Sequence, residues 1–155
     1  STVIIDKGAN TMRVIAKFQG LQGNVTAAHI HGPTMTAMTG TAGVMTTTPT
    51  FTGFPLGTIN GTYDRTFDMT VSGSYNASFI TNNGGTTASA FIALQNALIA
   101  GKAYFNIHTS TFGGGEIRGF LKPSPIIFGD KLYSPITELS FAFVILNKYL
   151  NPYLL

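Results

Sequence analysis

Ala28-His29-Ile30-His31-Gly32-Pro33 is the most informative segment of the chain. Its two histidines stand two residues apart, and their neighbours Ala28 and Ile30 are apolar. Along an extended chain, residues i and i+2 share a face. His29 and His31 therefore project together, and Ala28 and Ile30 face a core on the other side. The third and last histidine, His108, stands in Tyr104-Phe105-Asn106-Ile107-His108-Thr109, which alternates in the same manner. There Phe105 and Ile107 take one face, and Tyr104, Asn106 and His108 the other. Two strands thus carry every imidazole of the chain on faces turned away from the core. If these strands are neighbours, three ring nitrogens converge on one point. Three neutral imidazoles with an open position suit copper or zinc, with copper(II) ahead in the general affinity order.

Working outward, Met12 to Phe18 alternates as a half-buried strand, and Gly20 to Asn24 reads as a turn. Residues 34–43 read as a loop over the histidine end of the first strand, and Val44 to Thr48 as a further short strand. Pro49 to Gly61 is broken by Pro and Gly, and Tyr63 to Ser72 alternates again. Between Thr86 and Ala100 the period changes. Phe91, Leu94 and Leu98 recur at helical spacing, which predicts one amphipathic helix stopped by Gly101. The second histidine strand follows, and the Gly113-Gly114-Gly115 turn leads into Glu116-Ile117-Arg118-Gly119-Phe120-Leu121. Pro123 and Pro125 mark a change of texture. Beyond them come the apolar run Phe141 to Leu146 and the sticky end Tyr149 to Leu155.

A chain of 155 residues is expected to form one principal domain with a real core. Charged residues make up 10% of it, against roughly 25% in an average soluble protein. Its surface is therefore built from Thr, Ser, Asn and Gly, which suits a secreted or cell-surface protein, or one that hides surface in an assembly. The net charge is +3, but the nine basic residues are scattered, so nucleic acid is not an expected partner. With no cysteine there is neither a disulfide nor a thiolate metal site. The longest apolar run has six residues, where a transmembrane helix needs about 20. Ser1 in place of a start methionine fits a removed leader or a trimmed chain. Asn24, Asn60 and Asn76 each open an N-glycosylation sequon, in keeping with secretion.

Three motifs in order, Ala27-Ala28-His29-Ile30-His31-Gly32-Pro33, Tyr104 to Thr109 and Gly114-Gly115-Glu116-Ile117-Arg118-Gly119, resemble the CHRD domain family, the module named after chordin. The resemblance covers about residues 11–122 and implies an extracellular β-sandwich. Chordin's growth-factor binding does not carry over, because nothing here matches its cysteine-rich modules. The His-x-His strand is also similar to the copper strand of copper/zinc superoxide dismutases. On that likeness His29 and His31 correspond to paired copper ligands and His108 to a ligand from a later strand. No fourth histidine exists to bridge two metals, and the disulfide cysteines are absent. Dismutase or copper-oxidase activity is therefore not expected, and a mononuclear three-histidine site is what remains.

The expected architecture is mainly β: a Greek-key-type antiparallel sandwich over residues 11–122, with one short helix, an N-terminal strand or arm at 1–10 and an apolar C-terminal extension at 123–155. Its expected function is non-catalytic binding of one metal ion, copper before zinc, through His29, His31 and His108. Glu116 is a candidate to orient a ligand histidine, since metal-bound imidazoles lean on such outer partners. Arg118 would guide an anion to the open position or form a plain strand-face ion pair, and Asn106 shares His108's face. A second reading is a homo-oligomer or polymer, a subunit of an extracellular filament or sheath joined through the N-terminal strand and the apolar tail. The glycine turn at 113–115 lacks the helix of a phosphate cradle, and neither a hydrolase elbow nor a glycosidase carboxylate pair is present.

Overall fold

The computed structural model describes residues 1–124, and beyond them the backbone of four short strands. Strands β1 (Thr2–Asp6), β2 (Thr11–Phe18) and β4 (Gly61–Asp68) pair antiparallel, with β1 joined to β2 and β2 to β4. β3 (Val25–His31), β5 (Tyr104–Thr109) and β6 (Ile117–Phe120) form a second antiparallel sheet, with β5 in the middle. The alternation read from the sequence sets what each sheet buries. Met12, Val14, Ala16 and Phe18 of β2 enter one core together with Ala28 and Ile30 of β3 and Phe105 and Ile107 of β5. The protein is thus a β-sandwich of antiparallel sheets.

Phe51 sits at the middle of that core and is fully buried. Its ring lies 5.2 Å from Phe67 in one sheet and 6.0 Å from Phe105 in the other. These spacings fall in the range where aromatic pairs attract beyond simple area burial. The loop that carries Phe51 is held by its backbone N–H donating to the Ala28 carbonyl at 3.1 Å.

Helix α2 (Thr87–Ile99) contributes Ala90, Phe91, Leu94, Ala97 and Leu98 to the same core. Its start is a capping box, in which the Thr86 hydroxyl accepts from the Ser89 N–H. Its end is the expected Gly101, with φ at +65°. Gly101 N donates to Leu98 O and Lys102 N to Ala97 O, the two bonds of a Schellman cap. A second helix, α1 (Ala77–Asn82), corrects the expectation of one helix. Six residues are too few to show a period, and its clearest local cue is the Asn76 side chain, which accepts from Ser78 N at the N-cap. Residues 44–48, expected as a strand, contribute only isolated bridges, Val44 with His31 and Thr46 with Tyr75.

Past the glycine turn and β6 come β7 (Lys122–Ser124), β8 (Ile126–Phe128), β9 (Lys131–Tyr133), β10 (Ser140–Val144) and β11 (Tyr149–Leu150). β10 runs between β1 and β7, which gives a five-stranded sheet in the order β4-β2-β1-β10-β7. β11 pairs with β6 at the edge of the second sheet, and β8 pairs with β9. The apolar run 141–146 and the sticky end 149–155 therefore enter the fold through the backbones of β10 and β11. Their residues 145–146 and 151–155 lie outside the described residues.

Because Phe51 touches both sheets, Phe51→Ala opens a cavity that neither sheet alone can close. The expected cost is about 3–5 kcal/mol. Urea unfolding checks it, as a lowered midpoint with an unchanged slope.

Candidate metal centre

β3 and β5 are neighbours, in the register Ala27↔His108, His29↔Asn106 and His31↔Tyr104. Since Ala28, Ile30, Phe105 and Ile107 face the core, the register leaves the three histidines together on the outer face of the second sheet. His29 Nδ1 lies 3.3 Å from His108 Nε2, and His31 Nε2 lies 3.4 Å from the same atom. One nitrogen from each ring stands within 4.8 Å of the other two, so the three residues can hold a metal ion.

The second nitrogen of each ring settles what the first can do. His29 Nε2 donates to the Pro49 carbonyl at 2.6 Å, His31 Nδ1 to the Ala42 carbonyl at 3.0 Å, and His108 Nδ1 to the Gly113 carbonyl at 2.8 Å. A carbonyl can only accept, so each ring places its proton there. In a neutral imidazole the other nitrogen is then a bare lone pair. Three lone pairs face one another at close range, an arrangement that repels itself until a cation enters.

Each carbonyl is delivered by a loop that the sheet itself pins. Gly32 N donates to Gly43 O and Met45 N to Ile30 O, which lays residues 43–45 beside β3 and brings Ala42 over His31. Tyr104, stacked on the His31 ring at 5.0 Å, holds the same residue, accepting from Ala42 N through its hydroxyl. Phe51 N on Ala28 O and Ala28 N on the Thr50 hydroxyl place Pro49 against His29. In the hairpin after β5, Thr109 N and Gly115 N both donate to Phe112 O, folding Gly113 back onto His108. The loop expected at 34–43 is thus a working part of the site. Its far side is tied to the end of α2 by Thr34 N on Lys102 O and Met38 N on Gly101 O.

These loops bury rings that strand parity alone would leave in solvent. His29 is 6% exposed and His31 8%, while His108 is half-buried at the mouth. Burial lowers the His29 imidazole from 6.5 to about 4, with the Pro49 hydrogen bond opposing only in part. His31 is lowered by the same cause. Both rings are therefore neutral, as ligands must be, at neutral pH.

Asn106, in register with His29, is buried beside the cluster. Its Nδ2 lies 3.3 Å from His108 Nε2 and donates to Gly114 O at 3.2 Å, while its Oδ1 has no hydrogen-bond partner among the described residues. Turning the amide over would set that oxygen against a lone pair and a carbonyl, so the donor faces the histidines. The orphaned oxygen costs on the order of 1–3 kcal/mol. It lies against Gly115, whose φ is +118° and where a Cβ would collide with the Asn106 amide.

Glu116 does not orient a histidine, as the sequence had suggested. Its carboxylate accepts from Gln22 N at 2.7 Å, Gly23 N at 3.1 Å and the Thr109 hydroxyl at 2.9 Å, clamping the turn before β3 to the end of β5. The alternation that placed it beside Arg118 fails because the chain bends at Glu116, and β6 starts only at Ile117. The partners of the histidines are main-chain carbonyls, which leave no trace in side-chain identity. Arg118 forms no ion pair among the described residues. Its guanidinium lies 5.3 Å over the Tyr104 ring and donates to Gly40 O at 3.4 Å. Met45, whose thioether could serve copper as a soft ligand, belongs instead to the core. Of the sequon asparagines, Asn24 and Asn60 are exposed and Asn76 is half-buried at the α1 cap.

Residues 1–121 match the family model of the CHRD domain. The chain belongs to the CHRD domain family. The matched span holds all three histidines, the carbonyl loops and the Glu116 clamp. Neither the curated proteins nor the solved structures contain a match to this CHRD chain. None of its described helices is long and apolar enough to cross a membrane.

The depressed His29 value fixes a sign for stability in metal-free protein. Between about 6.5 and 4 the unfolded chain binds the proton that the folded chain refuses, so stability rises with pH there. Above that window His29 contributes no pH dependence. As the pH falls through it, the fold is progressively penalised. Unfolding midpoints measured in chelator across the window should drop toward acid, and His29→Gln should flatten the drop. An unchanged slope in the variant would refute the assignment.

Proposed function

We propose that this CHRD domain is an extracellular, non-catalytic module that binds one transition-metal ion through His29 Nδ1, His31 Nε2 and His108 Nε2. One observation carries the reading. Three lone pairs are turned on one point by three hydrogen bonds that hold the protons on the far sides of the rings. A cluster kept for packing alone would place at least one proton between the rings.

The spacing also bears on the metal. With metal–nitrogen bonds of about 2.0–2.1 Å, the edge of a tetrahedron is about 3.3–3.4 Å, whereas adjacent ligands of a square site stand about 2.8–3.0 Å apart. Two of the three separations, 3.3 and 3.4 Å, match the tetrahedral edge, and the third, between His29 and His31, lies within 4.8 Å. Copper(II) leads in the general affinity order, but the geometry favours a tetrahedral ion, copper in its cuprous state or zinc. The backbone carbonyls stand where an outer shell of carboxylates often does, orienting each ring without adding charge.

Titrating chelator-stripped protein with zinc, and with copper under reducing conditions, should show one equivalent bound. His29→Ala, His31→Ala and His108→Ala should each weaken binding by at least about 100-fold, more than the loss of an outer partner would. Uptake that none of the three changes affects would refute the site.

A structural subunit of a filament or sheath is the second reading, and β10 supports it. That strand comes from beyond the family-matched span, yet it stands between β1 and β7. The same strand supplied by a neighbouring copy would make equivalent hydrogen bonds and link subunits head to tail. Light scattering across a wide concentration range tests this, and a monomer throughout excludes it.

A further inference from the structure

We infer that the open fourth position of the metal centre is a binding site for a small monoanion, with the Asn106 amide as its hydrogen-bond donor and Arg118 as its electrostatic support. The inference rests on the metal reading above and extends it to the ligand that the ion would take.

Charge is the first argument. Three neutral imidazoles leave the ion's charge uncompensated, and no described carboxylate is placed to offset it. Asp64 is paired with Arg13, Asp68 is bound to Thr70, and Glu116 is spent on Gln22, Gly23 and Thr109. Asp6 caps its own turn, accepting from Ala9 N. Among the described residues, the charged group on this face is instead positive. Arg118 is in register with Asn106, which is in register with His29, and its guanidinium covers the Tyr104 ring that stacks on His31. A buried centre with excess positive charge and a cation beside it draws an anion.

The second argument is the orientation of Asn106. Its Nδ2 points at His108 Nε2, the lone pair that a metal would take. One N–H of the amide is taken by the Gly114 carbonyl; once the His108 lone pair is committed to a metal, the other N–H is free for an acceptor in the adjacent coordination position. The Gly114 carbonyl, which accepts from the same Nδ2 at 3.2 Å, holds the amide with its donor side toward the histidines. A donor aimed at the open position favours an anion over a neutral ligand, because hydrogen bonds to charged acceptors are the stronger kind.

The third is size. His29 and His31 are almost fully covered by the Pro49 and Ala42 loops, and His108 alone is half open. Access to the centre is therefore past His108, which favours an anion of a few atoms over a larger one.

The test uses the full chain loaded with cobalt(II), whose visible bands report coordination. Azide is titrated at constant ionic strength and saturating cobalt, so that altered metal affinity does not enter. One azide should bind per cobalt, with a saturable change in the bands. Asn106→Leu should weaken azide about tenfold, the loss of one charge-assisted hydrogen bond. Arg118→Gln should weaken it less, by an amount that shrinks as salt rises. A chain that takes up no cobalt overturns the metal reading itself. One equivalent of cobalt without any azide response leaves that reading standing and overturns this one; an Asn106 amide turned to put Oδ1 on the ion would give that result. Azide binding indifferent to both substitutions overturns the assigned roles.

Discussion

The register between β3 and β5 is the constraint on which the rest depends. Side chains alternate with a period of two, so a slip of one residue would exchange the faces of a strand. Ala28 and Ile30 would leave the core and the paired histidines would enter it, unpaired and far from His108. The pairing of Ile30 with Phe105 and of Ala28 with Ile107 makes that slip costly, because all four side chains are buried in the shared core. The same hydrophobic burial that stabilises the sandwich therefore aligns the histidines on its outer face. No interaction among the rings is needed to bring them together.

What the rings need is orientation, and the loops provide it. Three main-chain carbonyls from three segments set three tautomers, and each segment is anchored to the sheet next to the ring it serves. The arrangement leaves His29 and His31 buried and neutral and turns all three rings toward one point. In the absence of a cation this is a poor use of three polar side chains, since the rings give one another no donor and Asn106 Nδ2 reaches His108 Nε2 only at 3.3 Å. Asn106, with its orphaned oxygen, adds to the imbalance. Buried polar groups left unmatched in this way are more often found where a ligand completes the set than where packing is the whole purpose.

The sheet that backs the site is built from both ends of the chain. β1 is hydrogen-bonded on one side to β2 and on the other to β10, so the N-terminal strand has no free edge within the protein. An edge covered by a strand from the same chain is one way in which β-proteins avoid indiscriminate pairing. Such a strand, joined through a long connection, is also the element that can pass to a neighbour without any change in the hydrogen bonds it makes.

Strand parity at His29, His31 and His108, the alternation of β2 and the helix ending at Gly101 were legible in the sequence, because each is a local periodic or conformational rule. The family was legible too, through the three motifs that carry those residues. α1 left no periodic signal in six residues, and Glu116 was misplaced because a bend breaks the alternation on which its reading relied. By itself, then, the sequence determined which side chains share a face and that three imidazoles lie outside the core. The tertiary structure alone decided that a carbonyl would meet each ring, that loops would bury two of the three, and that Glu116 would clamp a distant turn. Main-chain carbonyls are the same in every residue, so only the path of the chain through space says which nitrogen each of them will hold.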